Sequence, residues 1–97
     1  MGFDQIARNW RCRLGELDLV VARDGLLVFC EVKTRSGAAF GGGYEAVTAT
    51  KQRKLRHLAE AFLTSSSIRP ASIRFDVASV RLAGTSDPDV HLFVDAF

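Results

Sequence analysis

The sequence predicts an α/β unit in which a three-strand meander is followed by one main helix and two further strands. Three observations carry this. Leu14 to Ala22 alternates at a period of two; Asp24-Gly25 stands between two apolar runs as a tight hairpin signal; and from about Thr48 to Thr64 the apolar period becomes that of a helix.

The elements follow in order. Phe3 to Trp10 is the first strand. Leu14 to Ala22 is the second, with Leu17, Leu19 and Val21 alternating with Glu16, Asp18 and Val20. Asp24 and Gly25 tolerate the positive φ that a two-residue turn demands, and Leu26 to Thr34 is the third strand. Arg35 to Tyr44, with Gly37 and Gly41 to Gly43, is too rich in glycine for regular structure and is expected to be a mobile loop. In the helix, Val47, Leu55, Leu58, Ala59 and Phe62 share one stripe; Thr48 or Thr50 caps its start, and Ser65 to Ser67 followed by Pro70 ends it. Ile73 to Leu82 and Val90 to Phe97 are the last two strands, separated by the turn-rich Ala83 to Asp89.

Ninety-seven residues with 47% apolar content fit one small domain over 1–97, because a chain of this size buries only roughly two-thirds of its unfolded surface. No apolar run approaches the ~20 residues that cross a bilayer, and Met1 to Trp10 has no signal-peptide pattern, so no membrane partner and a cytoplasmic location are expected. Cys12 and Cys30 lack C-x-x-C spacing, and Cys30 lies in an apolar run, which points to a buried reduced thiol. A net charge of +2 is too small to argue for nucleic acid, so only clustering bears on it. Arg8, Arg11 and Arg13 flank Trp10, and Lys51, Arg53, Lys54 and Arg56 follow one another on the helix. Trp10 is expected in the core or an interface, and His57 and His91 at the surface.

The hairpin fixes how charges meet. With a two-residue turn at Asp24-Gly25, Arg23 faces Leu26 and opposed residue numbers sum to 49. Asp18 then faces Glu31, Glu16 faces Lys33, and all four share one side of the sheet with Leu27 and Phe29, while Val28, Cys30 and Val32 take the other. Opposed carboxylates at a Cβ separation of ~5 Å repel and call for a compensating cation or a shared proton. Magnesium or manganese suits them, held by Asp18, Glu31 and one backbone carbonyl, taken as that of Val32, with a phosphate oxygen completing the set. Lys33 projects from the same side, placed to orient or deprotonate an attacking water. Carboxylates in a strand apolar on both sides are costly unless they work.

Arg8 to Arg13, Gly15 to Leu19, Glu31 to Arg35, Glu45 to Thr48, Lys51 to Arg53, Arg74 to Val77 and Asp95 to Phe97 together resemble the YraN-like proteins, a functionally uncharacterised bacterial family similar to archaeal Holliday-junction resolvases and the PD-(D/E)XK nucleases. The resemblance implies a restriction-endonuclease-like core with a central mixed sheet. It also implies that Asp18 and Glu31 are the metal-binding acids, Lys33 the motif lysine and Gln52 a helix residue near the scissile phosphate. Family members usually begin with a further helix that supplies a glutamate to the metal site; this chain starts at a point where that helix would have ended. One amphipathic helix covers one side of a sheet, so a second copy of the chain (a homodimer), an upstream segment or another partner is expected on the other. The implied function is metal-dependent hydrolysis of DNA, in branched or damaged structures, with Arg11, Arg13, Arg35, Lys51, Arg53 and Lys54 holding phosphates. The alternatives are a non-catalytic nucleic-acid-binding module and a protein-interaction subunit on the same fold.

Overall fold

Asp24 and Gly25 both take positive φ, 49° and 82°, so the hairpin turns as a two-residue primed turn whose twist matches the strands it joins. The computed structural model describes residues 2–36, 48–82 and 89–97. Along the chain these form β1 (Asp4–Cys12), β2 (Gly15–Arg23), β3 (Leu26–Ser36), α1 (Ala49–Ser65), β4 (Ser72–Leu82) and β5 (Asp89–Phe93). The strands make one five-stranded sheet in sequence order. Consecutive pairs are antiparallel except β3 and β4, which run parallel because α1 carries the chain back across the sheet between them. The result is the mixed α/β arrangement expected, with one helix among the described residues. The expected glycine-rich loop beyond residue 36, Val47, and residues 83–88 lie outside the described residues, as does the side chain of Arg35.

Leu55, Leu58, Ala59 and Phe62 are the buried stripe of α1, and Thr48 caps the helix by accepting the Lys51 N–H at 3.2 Å. The stripe packs on Leu17, Val20, Leu27, Phe29 and Phe75. Aromatic rings knit the layer: Trp10 and Phe29 meet Phe62 edge-on, at 5.3 and 6.0 Å, while Phe75 stacks between Phe29 and Phe97. Trp10 is therefore a packing residue, and His57 and His91 are exposed.

Two expectations need correction. Strand β5 stops at Phe93 instead of running to Phe97. Asp95 takes φ 55°, which turns the chain so that its N–H reaches the Asp76 carboxylate at 2.9 Å and the Ala96 N–H reaches the Phe75 carbonyl at 2.7 Å. In β2 the strict alternation fails, because Leu17 and Val20, three apart, are both buried under α1 while Leu19 is not. The break falls at Asp18.

On the side of the sheet away from α1, Val28 and Cys30 are buried beside β4, but Val32, Leu82, Val90, Leu92 and Val94 are exposed. Val32, Ala78 and Leu92 are neighbours across β3, β4 and β5, so these residues form one apolar row. No helix of the described residues is long and apolar enough to cross a membrane.

Candidate functional site

From the turn outward the β2–β3 pairing follows the predicted register through five rungs, from Arg23–Leu26 to Leu19–Cys30. There it stops. Asp18 and Glu31 do not form the next rung; instead Asp18 Oδ2 accepts the Val32 N–H at 2.9 Å. A carboxylate has taken the position that a backbone carbonyl would hold in a continued ladder, and aspartate is suited to that because its short side chain competes locally for backbone donors. Nor does Glu16 pair with Lys33. It meets Arg11 of the neighbouring strand at 3.6 Å, on the far side of β2.

The separation opens a small cavity of about 10 Å³, near the size of one water, lined by Glu16, Asp18 and Glu31 together with Phe29, Leu55, Phe75 and Phe97 among others. Glu31 is largely enclosed. Its side chain is 15% exposed, Oε1 lies 3.1 Å from Lys51 Nζ, and Oε2 is buried with no hydrogen-bond partner among the described residues. Lys33 follows on β3, half-buried opposite Ser79, and Gln52 stands in the first turn of α1, where its backbone N–H bonds the Thr48 carbonyl; neither lines the cavity. Among the described residues no group of three or more His, Cys, Asp or Glu side chains converges as a metal cluster. Of the three carboxylates lining the cavity Glu16 is paired with Arg11, so Asp18, Glu31 and the backbone are the candidate donors, a set that leaves most of a hard cation's shell to water or phosphate.

The β1–β2 turn lies close to Lys54 of α1. A Cβ built on Gly15, at the start of β2, would lie 3.2 Å from Lys54 Cε, so the β1–β2 turn carrying Arg13 abuts α1. Arg13, Arg53 and Arg11 are exposed, the last engaged with Glu16, and Arg53 also reaches the Thr50 hydroxyl at 3.4 Å. Lys51 points at Glu31.

A model of the uncharacterised protein family UPF0102 matches residues 1–80, a span that holds Asp18, Glu31, Lys33 and α1. The chain belongs to this family. It is 50% identical over 95 residues to a UPF0102 protein of Mycolicibacterium smegmatis, covering 95% of this chain and 77% of that one. It is 53% identical over 79 residues to one of Parafrankia sp., covering 81% and 67%, and 45% identical over 96 residues to one of Rhodococcus opacus, covering 99% and 81%. The YraN-like resemblance read from the motifs anticipated this assignment.

Two features of the UPF0102 chain went unread in the sequence. Lys51 pairs with Glu31, and no local pattern signals it because twenty residues separate the two. Asp76, buried in β4, is held by Arg74 through two bonds of 2.9 Å, which keep the guanidinium firmly protonated, and it also accepts the Asp95 N–H. The alternation of Arg74 and Asp76 on one strand face was the available signal. Cys30 lies beside Asp76; burial first, and then that carboxylate, push its thiol up to about 11. Cys30 is thus the inert buried thiol expected, and Cys12 is a free, half-buried one.

Proposed function

We propose that this UPF0102 chain has a restriction-endonuclease-like core and is a metal-dependent nuclease of DNA, with branched or damaged structures as substrates. Glu31 carries the reading: a mostly buried carboxylate with one oxygen on an ammonium and the other without a partner among the described residues. An orphaned, desolvated carboxylate oxygen is costly, and a hard divalent cation is a partner that relieves it. Asp18, Glu31 and the Val32 carbonyl would hold magnesium or manganese, and the ion would polarise the phosphodiester and acidify a bound water.

The chain's own residues have distinct tasks in this scheme. Asp18, fixed by the Val32 N–H, presents its second oxygen, Oδ1, at a set position. Lys33 orients the attacking water and offsets charge that develops on the phosphate. Water adds to phosphorus as the bond to the leaving sugar oxygen breaks, and that oxygen takes up a proton. Gln52 steadies the scissile phosphate, while Arg11, Arg13, Arg35, Arg53 and Lys54 hold flanking phosphates and fix position without reading sequence.

The test is a labelled four-way junction incubated with manganese. Cutting by the wild type and none by Glu31→Ala is the expected result. Salt-dependent binding by a wild type that never cuts would assign the chain to the non-catalytic binding modules instead. A second reading, self-association, is favoured by the apolar row of Val32, Leu92 and Val90. Its occupant is a second copy of the chain, since an uncharged row is self-complementary about a two-fold axis. Light scattering on the same preparation then gives a dimer that Leu92→Lys dissociates, and a wild type that stays monomeric when concentrated excludes it.

A further inference from the structure

Lys51 is placed unlike the other cations of α1. Arg56 lies over the rings of Phe75 and Phe97, at 5.0 and 5.9 Å, Arg53 bonds the Thr50 hydroxyl, and Lys54 abuts Gly15. Among the described residues Lys51 alone of these four is paired with an acid, and that acid is a mostly buried member of the candidate metal pair. The geometry is fixed from both sides. The Thr48 hydroxyl holds the Lys51 N–H in the first turn, and β3 holds Glu31.

An ammonium is an incomplete partner for this carboxylate. It meets Oε1 at 3.1 Å and leaves Oε2 buried and unbonded among the described residues. Lys51 itself is 42% exposed, so its head can leave for solvent without rearranging the core. We infer that Lys51 is a placeholder cation: its ammonium neutralises Glu31 in the metal-free protein, a divalent ion must displace it, and the displaced head is then free for a phosphate. The inference rests on the proposed reading of Asp18 and Glu31 as metal ligands and adds the residue that sets their affinity.

A placeholder has a signature that neither a structural lysine nor a phosphate-binding lysine shares. Removing it tightens the divalent ion while loosening the metal-free fold. The experiment is manganese binding by calorimetry to the DNA-free full chain, with thermal unfolding in chelator alongside, for wild type, Lys51→Met, Lys51→Arg and Glu31→Gln. Lys51→Met should bind manganese roughly two- to fivefold tighter than wild type, the range that a partly exposed ion pair commands, and melt lower in chelator. Lys51→Arg should bind it more weakly than wild type, because a guanidinium can satisfy both carboxylate oxygens. Glu31→Gln should lose binding. Equal or weaker binding by Lys51→Met overturns the placeholder and leaves the metal site standing. If Lys51→Met fails to fold, Lys51→Arg decides, and wild-type affinity there overturns the inference. No manganese binding by any of the proteins overturns the metal reading and the placeholder with it.

Discussion

The two ends of the β2–β3 hairpin obey different physics. At the turn end, five consecutive rungs from Arg23–Leu26 to Leu19–Cys30 zip together, and their inward side chains Ala22, Val20, Leu27 and Phe29 lie under α1. At the open end the next rung would set Asp18 against Glu31, and the ladder gives way: Asp18 turns to the Val32 N–H and Glu31 to Lys51. Apolar pairs gain by facing each other across a sheet, whereas like charges lose, so one strand pair makes a scaffold at one end and a small, acid-lined opening at the other. That division is the usual relation between a rigid element and a site built on its edge.

The comparison can be broken hardest at the closed end. Leu58 is 1% exposed and belongs to the cluster that presses α1 on the hairpin. Leu58→Ala removes that contact and leaves a cavity, and should cost about 2–5 kcal/mol in chemical denaturation. A loss under about 1 kcal/mol would mean that α1 is not the clamp of the paired rungs.

How far this contrast was legible in sequence follows from the same physics. The paired end is periodic, and periodicity is what a sequence displays: Asp24-Gly25 gave the turn, the turn gave the register, and Leu55, Leu58, Ala59 and Phe62 gave the helix face. The open end is an exception to periodicity. That Asp18 and Glu31 belong together could be read from the register, but that they would refuse to form a rung depends on a side chain outcompeting a carbonyl for one N–H. The Lys51–Glu31 pair depends on where the crossover returns the chain, and the shortening of β5 on the reach of the Asp95 N–H to Asp76; both are tertiary facts with no local pattern.

Cys30 occupies the last paired rung, and pH probes it there. Burial, aided by the Asp76 charge, raises its thiol from 9.0 to about 11 in the folded state. Below pH 9 the thiol is protonated folded or unfolded, so its contribution is fully present. Between pH 9 and about 11 the unfolded chain releases the proton while the folded chain keeps it, and stability falls as pH rises. Two units correspond to about 3 kcal/mol. The measurement is denaturant unfolding of wild type and Cys30→Ala below pH 9 and again near pH 11. The gap between the two proteins should shift against the wild type at the higher pH, and parallel pH profiles would show that this rung is open to water.

At the open end the expected effect is smaller and turns on one bond. Asp18→Ala leaves the Val32 N–H without the acceptor it has at 2.9 Å, and should cost about 1–3 kcal/mol. Asp18→Asn keeps an oxygen acceptor of nearly the same shape, so its fold should stay close to wild type in stability, while the charge that would hold a divalent ion is gone. Amide exchange at Val32 reads the bond directly, fast in the alanine variant and protected in both others. The asparagine variant thus separates the two duties of one carboxylate, ending the ladder and supplying charge. If it loses as much stability as alanine, Asp18 is held by its charge rather than by the Val32 N–H, and the open end is an electrostatic structure before it is a site.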